Sequence, residues 1–368
     1  MKKFQIRILD KYIFRETFYT FLFGVCAFSA VFIGSGTLFR IAQFITDYGA
    51  SVTSIIKVFI FSLPGVVIWT FPMSMLLASL LSFGKLSSSS EINAMKSCGI
   101  SFNRIAAPAL VLGMAVSLFS IWFNEYIVPW ANVAYANVVY YEIQGNTAPQ
   151  SQDHIIIKDI DGGKISRLIY ARRYDAKTQQ MQGVTLEIFK DGKVSHVENA
   201  EYAEWLGEKW LMHNGIVYDI TKENKDAHHT MHFDTQLLPV NQSPRQIIRD
   251  QKRPEEMTIR ELKTQIAILG ERFVNAKKYE TELYQRFTVP MASFIFTMIG
   301  LPLALQPTRN SSSMGFAISL IVIFFYYTLM TLGNALARGG VMVAWLAVWI
   351  PNIVGAIAGS YLMWRATK

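Results

Sequence analysis

Six long apolar runs separated by polar segments dominate the pattern of hydrophobic and polar positions along this chain. They are centred near Val31, Ile60, Leu112, Phe294, Ile323 and Val348. Each run holds about 20 residues with few charges, and a helix of that length crosses about 30 Å of hydrocarbon. The pattern therefore predicts an α-helical polytopic membrane protein with six transmembrane helices.

The segment between the third and fourth runs has a different pattern. Residues 131–254 are polar, and short apolar runs alternate there with turn dipeptides. Asp191-Gly192 and Asn214-Gly215 are the strongest hairpin signals, because both dipeptides favour the left-handed turns that join neighbouring strands. We expect an all-β sandwich or jelly roll in this segment. Its candidate inward-facing side chains are Val184, Leu186 and Ile188.

This order divides the chain into three parts. Residues 1–130 hold a basic amphipathic lead and three spans, and residues 131–254 form the inserted β domain. Residues 255–368 begin with a connector helix, predicted from an apolar face among charges, and continue with the last three spans.

The polar stretch between the second and third runs, Gly84–Arg104, is predicted to form a short helix near residues 88–98. Ser88 is placed to cap its N-terminus, and Glu91 three residues later completes a capping box. Gly99 is placed to end the helix in a left-handed conformation. A helix of about ten residues is marginal alone in water. We therefore expect it to pack against a partner, although Glu91 has a sufficient structural role as a capping residue.

The positions of the basic residues say more about the protein than its net charge does. Of the 368 residues 51% are apolar, and the formal net charge is +8. With a cytoplasmic N-terminus, eleven basic residues flank the spans inside and three outside: Lys2, Lys3, Arg7, Lys11, Arg15, Lys85, Lys96, Arg104, Arg309, Arg365 and Lys368 against Arg40, Lys57 and Arg338. This asymmetry follows the positive-inside rule, with both termini cytoplasmic and the β domain outside. The basic excess is thus a topology signal, and no nucleic acid is expected as a partner.

Candidate chemistry is sparse. The sequence has neither a phosphate-binding G-x-x-x-x-G-K-[ST] loop nor an H-E-x-x-H zinc motif. We therefore expect no catalytic residues, no cofactor and no ATP hydrolysis by this chain itself. The best metal candidate, His228-His229-x-x-His232, lacks a clear fourth ligand and is better interpreted as a polar strand or loop. Cys26 and Cys98 lie at different levels and do not indicate a disulfide.

Three polar residues lie within or beside the apolar runs. Arg40 ends the first run, where it is either an interfacial anchor or a ligand for the phosphate of an anionic lipid. The sequence favours neither role. Asn334 and Asn352 lie inside spans, and interhelical hydrogen bonds are the expected reason.

Several segments carry a resemblance to a known family, and together they cover essentially the whole chain. The family is LptF/LptG (YjgP/YjgQ), the permease subunits of lipopolysaccharide exporters. The similar segments are LDKYIFRE, LPGVVIWTFPMSMLLASLLSFGKLSSSSEINAMKSCGIS, NEYIVPWAN and ELYQRFTVPMASFIFTMIGLPLAL.

The resemblance implies a periplasmic β-jellyroll and an inner-membrane permease that works as a pair, with a paralogue or with itself. A cytoplasmic ATPase dimer of the LptB kind would bind the short helix at Glu91, with Ser88, Met95 and Gly99 as the accompanying coupling residues. Lipopolysaccharide would pass from the membrane to the jellyroll and on to β-jellyroll proteins of the LptC/LptA kind. Arg40 falls where family members carry basic residues.

A membrane-anchored scaffold or sensor is the alternative from another functional class. Its β domain would bind a partner without transport, and the short inner helix would then be dispensable. The sequence does not decide between the F-type and the G-type subunit.

Overall fold

The computed structural model describes residues 8–144, 152–161, 164–176, 178–190, 193–219, 230–240, 242–244, 247, 252–271, 276–305 and 311–367. The chain divides into two compact units. We call residues 1–145 with 253–368 the membrane unit, and residues 146–252 the strand unit.

The membrane unit is built from long helices. Its elements in chain order are α1 (Ile8–Phe32), a π-helical segment (Ile33–Thr37), α2 (Leu38–Tyr48), α3 (Val52–Ser88), α4 (Glu91–Ser97), α5 (Phe102–Asn137), a second π-helical segment (Val138–Ile143), a 3₁₀ turn (Pro254–Glu256), α6 (Ile259–Glu271), α7 (Lys277–Leu303), α8 (Ser311–Gly339) and α9 (Ala344–Thr367). Six helical stretches in the described residues are long and apolar enough to cross a membrane. The six predicted spans are thereby confirmed.

The spans run well beyond their apolar cores. The first continues without a break from Ile8 through the π segment to Tyr48, and the third continues to Ile143. Residue 131, the predicted start of the β domain, therefore lies inside α5, and the first described strand begins at Gln152. Polar residues at helix ends carry no hydropathy signal, which is why the pattern placed this boundary too early.

Asn352 joins three helices inside the membrane unit, as predicted for an intramembrane asparagine. Its side-chain oxygen accepts a hydrogen bond of 2.7 Å from Tyr326 of α8, and its amide nitrogen donates to the Thr288 carbonyl of α7 at 2.8 Å. Asn334 differs, because its buried side-chain oxygen has no hydrogen-bond partner among the described residues. Interhelical hydrogen bonding is therefore confirmed for Asn352.

The strand unit contains a six-stranded antiparallel sheet, which confirms the all-β insertion between the third and fourth spans. Its strands are β1 (Gln152–Asp161), β2 (Lys164–Asp175), β3 (Gln180–Lys190), β4 (Lys193–Trp205), β5 (Trp210–Asp219) and β6 (Thr230–Leu238). Among the described residues the spatial order is β1-β2-β3-β4-β5-β6, which is a meander. Val184 and Leu186 are buried in its core and Ile188 packs against them, as the alternation predicted.

One transverse row interrupts the pairing of all six strands. The row has one residue from each strand, and neighbouring residues in it lie opposite one another but are not paired, although the register is the same on both sides. Its members are His154, Arg172, Gly183, Glu201, Asn214 and Asp234. Every second residue of the row has a positive φ: 57° at His154, 61° at Gly183 and 51° at Asn214. We call this row the crease. Buried positions on either side of it are three residues apart, such as Ala171 and Tyr174, so the apolar face is continuous across it.

The predicted hairpin at Asn214-Gly215 is wrong. Asn214 belongs to the crease, and β5 continues through both residues. The glycine is required because the Phe233 ring of β6 lies over it, and a Cβ at position 215 would come within 2.0 Å of that ring. The other predicted turn, Asp191-Gly192, lies outside the described residues, while Lys190 and Lys193 on either side of it pair as the ends of β3 and β4.

Candidate functional site

The junction between α3 and α5 forms a short helix, but the predicted capping box is absent. Ser88 is the last residue of α3, and its hydroxyl donates back to the Lys85 carbonyl at 2.9 Å. A tight turn follows, in which Ser90 takes a left-handed φ of 60°. Glu91 then opens α4 as its first residue instead of its third, which still places a carboxylate at the positive end of the helix.

Gly99 ends α4 as predicted. Its φ is +83°, its amide donates to the Lys96 carbonyl at 2.9 Å, and the Ile100 amide donates to the Met95 carbonyl at 3.1 Å. This pair of bonds is a Schellman motif, in which a left-handed residue satisfies the last carbonyls of a helix.

The apolar side of α4 packs into the membrane unit. Ile92 is buried in a cluster with Phe83, Leu86 and Phe102, and the half-buried Met95 packs against the same cluster. Met95 therefore anchors the helix. The exposed side carries Asn93, Ala94, Lys96, Ser97 and Cys98.

The sequence does not indicate the direction of the Glu91 side chain, and in the structure it points toward α1. The Tyr12 hydroxyl donates to Glu91 Oε2 at 3.0 Å, and the Ser89 hydroxyl donates to Oε1 at 2.8 Å. Two ion pairs lie on the same side of the junction: Arg104 of α5 with Asp10 at 2.6 Å, and Lys85 of α3 with Glu16 at 2.5 Å. Helix α1 is thus bonded to every helix of the junction.

A cavity of about 800 Å³ lies at the opposite end of the membrane unit, and Arg40 lines it. Arg253, just before the 3₁₀ turn, and Lys278 at the start of α7 line the same space. All three cations are exposed, and no described side chain pairs with the Arg40 guanidinium. The cavity also holds Glu255, Glu256 and Glu282, so charged side chains of both signs lie on its wall among apolar ones.

A second cavity of about 520 Å³ adjoins the first. Its lining is almost wholly apolar and comes from α1, α3 and α8: Phe32, Trp69, Met73, Ile323, Phe324, Tyr327, Thr328, Thr331 and Leu332. Phe32 and Trp69 line both cavities. A chamber that bears cationic and acidic side chains therefore lies beside an almost wholly apolar one, an arrangement suited to an amphiphile with a charged head.

The described residues contain no group of three histidine, cysteine or acidic side chains placed to hold a metal ion. Of the predicted metal candidate, His232 lies on β6, while His228 and His229 fall outside the described residues. Cys26 and Cys98 are both free thiols.

Sequence reasoning missed three residues of these sites. Arg253 and Lys278 are separated from Arg40 by more than 200 positions, and nothing local to them indicates that they share one chamber. Tyr12 lies in the amphipathic lead, and the pattern of hydrophobic and polar positions there does not indicate a hydrogen bond to another helix.

One comparison with known proteins finds a matching family. The family described as "Lipopolysaccharide export system permease LptF/LptG" matches residues 11–365 of the chain. No individual curated protein matches it with statistical significance.

Proposed function

Because the chain belongs to the LptF/LptG family of lipopolysaccharide export permeases, we propose that it extracts lipopolysaccharide from the inner membrane as one subunit of an ABC transporter. The chain is a multi-pass inner-membrane transport component, as the six spanning helices and the family indicate. The proposal adds the path of the lipid, the docking position of a separate ATPase and the orientation of the chain in the membrane.

The adjoining cavities are the observation that carries the proposal. Lipopolysaccharide has phosphorylated sugars joined to several acyl chains, so its site needs cations beside an apolar surface. Arg40, Arg253 and Lys278 supply the cations, and the chamber beyond Phe32 and Trp69 supplies the apolar surface. A guanidinium suits phosphate because it donates two parallel hydrogen bonds.

A separate ATPase would dock at α4. The orientation that follows from the basic residues puts α4 and both termini in the cytoplasm, and the strand unit in the periplasm. Helix α4 is short, and its buried side packs firmly against α3 and α5. A force that an ATPase applies to its exposed side would therefore displace α3 and α5 as well. The Tyr12–Glu91 bond then carries the same movement to α1, the helix that leads to Arg40.

The strand unit would pass the lipid onward. Its outermost described strands are β1 and β6, and a sheet edge can accept a strand from a partner β-jellyroll protein of the LptC/LptA kind. A second six-span subunit, a paralogue or another copy, would complete the transporter.

Lipid contact is tested by placing photocrosslinking residues at Phe32, Phe39 and Ile41 in cells. We expect crosslinks to lipopolysaccharide at all three positions, and fewer after Arg40→Gln. Lys263→Gln, which removes an exposed cation from α6, serves as the matched control. Absence of crosslinks at all three positions, with signal elsewhere in the protein, would contradict the proposed path.

Motor docking is tested by copurification after mild detergent extraction. We expect a cytoplasmic ATPase and a second six-span subunit to accompany the wild-type chain, and Glu91→Lys to weaken the association. Glu208→Lys, an equal charge change in the strand unit, is the control. If Glu91→Lys changes neither ATPase association nor growth, the scaffold alternative is favoured, because only that alternative makes α4 dispensable.

A further inference from the structure

Arg286 is a fourth cation on the wall of the cavity that Arg40 lines, but its guanidinium is buried against protein groups, whereas that of Arg40 is exposed. It lies on α7, and its side chain is only 2% exposed. A buried guanidinium is strongly unfavourable unless its donors are bonded. Glu282, one turn earlier on α7, is its acidic partner, at 3.5 Å from Nε.

Nε makes this ion pair but no hydrogen bond among the described residues, and the two terminal nitrogens of Arg286 donate to two other elements. Nη1 donates to the Asn124 carbonyl of α5 at 2.6 Å and to the Asn124 side-chain oxygen at 3.1 Å. Nη2 lies 3.0 Å from each of the carbonyls of Glu255 and Met257, and 3.4 Å from that of Pro254. One guanidinium thus holds α5, α7 and the segment Pro254–Met257 together.

The chemistry of that segment explains why a guanidinium fits. Pro254–Glu256 is a single 3₁₀ turn, and the last carbonyls of a helix carry negative partial charge and lack helical partners. A planar fork carries five donors on three nitrogens and can reach carbonyls of two elements at once, whereas the three donors of an ammonium share a single nitrogen.

Helix α5 adds two contacts to the same segment. The Asn132 amide donates to the Glu255 carbonyl at 2.9 Å, and the Glu125 carboxylate accepts from the Ile259 amide at 3.0 Å, at the start of α6. We call these contacts, together with those of Arg286, the return clamp. It binds the chain where it re-enters the membrane unit after the strand unit.

The clamp has a consequence for connectivity. The chain leaves the membrane unit through α5 and returns through Arg253, and these two points of attachment are the covalent links of the strand unit. The clamp fastens the second link to the helix that supplies the first. A displacement of α5 or α7 therefore moves both links together.

We propose that Arg286 is a positioning residue that couples movement of α5 and α7 to the strand unit during lipid export. The inference rests on the proposed function, since it assumes that the helices move when ATP is hydrolysed. Loosening the clamp would leave ATP hydrolysis unchanged but lower the amount of lipopolysaccharide exported per ATP.

Arg286→Lys is the first test variant because it keeps the charge opposite Glu282 but loses the fork. Asn132→Ala is the second, because it removes one anchor of Glu255 without stranding a buried charge. Arg260→Lys and Asn137→Ala make the same chemical changes at exposed positions of α6 and α5 and serve as matched controls.

Two quantities are measured on the assembled exporter in vesicles. The first is hydrogen exchange of the Met257 and Ile259 amides, which should become about tenfold faster in both test variants because local opening is easier. The second is lipopolysaccharide transferred per ATP hydrolysed, which should fall by about tenfold, a typical size for broken coupling. ATPase association and hydrolysis should stay within about twofold of the wild type, as for surface substitutions.

Unchanged exchange at Met257 and Ile259 would overturn the clamp, and so would faster exchange with undiminished transfer per ATP. If Arg286→Lys does not assemble, Asn132→Ala decides by the same two measurements. A wild-type chain that binds no ATPase and moves no lipid would instead overturn the proposed function, which is a distinct result.

Discussion

The phenolic hydroxyl of Tyr12 on α1 donates a hydrogen bond of 3.0 Å to the Glu91 carboxylate on α4, 79 positions further along the chain. Glu91 therefore has a partner within its own chain, on the helix that leads to the cavity lined by Arg40. A neutral donor bonded to a charged acceptor contributes about 1.5–3 kcal/mol when both are shielded. This contact lies at an exposed junction, so its contribution falls below that range.

Tyr12→Phe removes this bond while keeping the ring. We expect export per ATP to fall about threefold while ATPase association is retained, because a fraction of the hydrogen-bond energy is lost but the exposed side of α4 is unchanged. Transport and hydrolysis measured together on the assembled complex check this. Tyr19→Phe removes a hydroxyl from the same helix and should be neutral. An equal loss in both variants would show that the hydroxyl of Tyr12 has no special role.

Gly99→Ala should destabilise the α4 junction. The φ of +83° is left-handed, and a side chain there costs about 1–2 kcal/mol. Gly84→Ala is the contrasting variant, since Gly84 lies within α3 with no atom within 4 Å of the added methyl group. That change should stabilise the helix by about 0.5–1 kcal/mol. Thermal unfolding in detergent distinguishes the two, and equal shifts would contradict the assigned role of Gly99.

Gly215→Ala should destabilise the sheet by about 1–3 kcal/mol, the usual cost of overpacking, because the new methyl group overlaps the Phe233 ring. Phe233→Ala should cost stability by a different route, through lost burial. The double variant should be more stable than the sum of the two effects implies, since the overlap then no longer exists. Denaturant unfolding of all four proteins measures this coupling, and simple additivity would refute the overlap.

Glu198 should make the stability of the sheet depend on pH. Burial raises the pKa of its carboxyl group above the ordinary value, although the Gln236 amide and His196 act in the opposite direction. A raised pKa in the folded state means that folding favours the protonated form. The resulting stabilisation is present in acid, below the unfolded pKa of about 4.3, and is lost as the pH rises through the folded value.

Glu198→Gln should abolish that loss, because a glutamine is neutral at every pH and can still accept the Gln236 hydrogen bond. The variant should be more stable than the wild type at pH 7 and nearly equal to it in acid. Hydrogen exchange of β4 in the full-length protein, followed between these conditions, gives the measurement. Glu208→Gln, at an exposed position, should leave the pH dependence intact.

The spans were predictable because hydropathy acts locally along one helix. The same reasoning failed at Ser88, where a capping pattern was present but the backbone turned two residues later, at Ser90. A capping box depends on which residue leaves the helical conformation, and several serines in succession offer equivalent choices. Gly99 was predictable because only one residue there tolerates a left-handed conformation well.

In the strand unit, too, local patterns were predictable from the sequence, whereas contacts between strands were not. Val184 and Leu186 follow ordinary alternation on one side of the crease and were placed correctly. Asn214-Gly215 was mistaken for a hairpin, because the left-handed Asn214 and the glycine beneath Phe233 imitate turn chemistry. The Phe233 ring that makes a glycine necessary at position 215 lies on another strand. Arg286 was not predictable as a clamp, since most of its partners are backbone carbonyls, which every sequence supplies.

The π-helical segment Ile33–Thr37 sets the rotational phase of the first span. In an unbroken α-helix, residues eight positions apart, such as Phe32 and Arg40, differ by about 80° around the axis. A wide turn that absorbs one residue reduces this difference to about 20°. The aromatic ring shared by both cavities and the guanidinium above it therefore lie along one side of the helix. The five-residue π-helical segment thus determines on which side of the first span Arg40 lies.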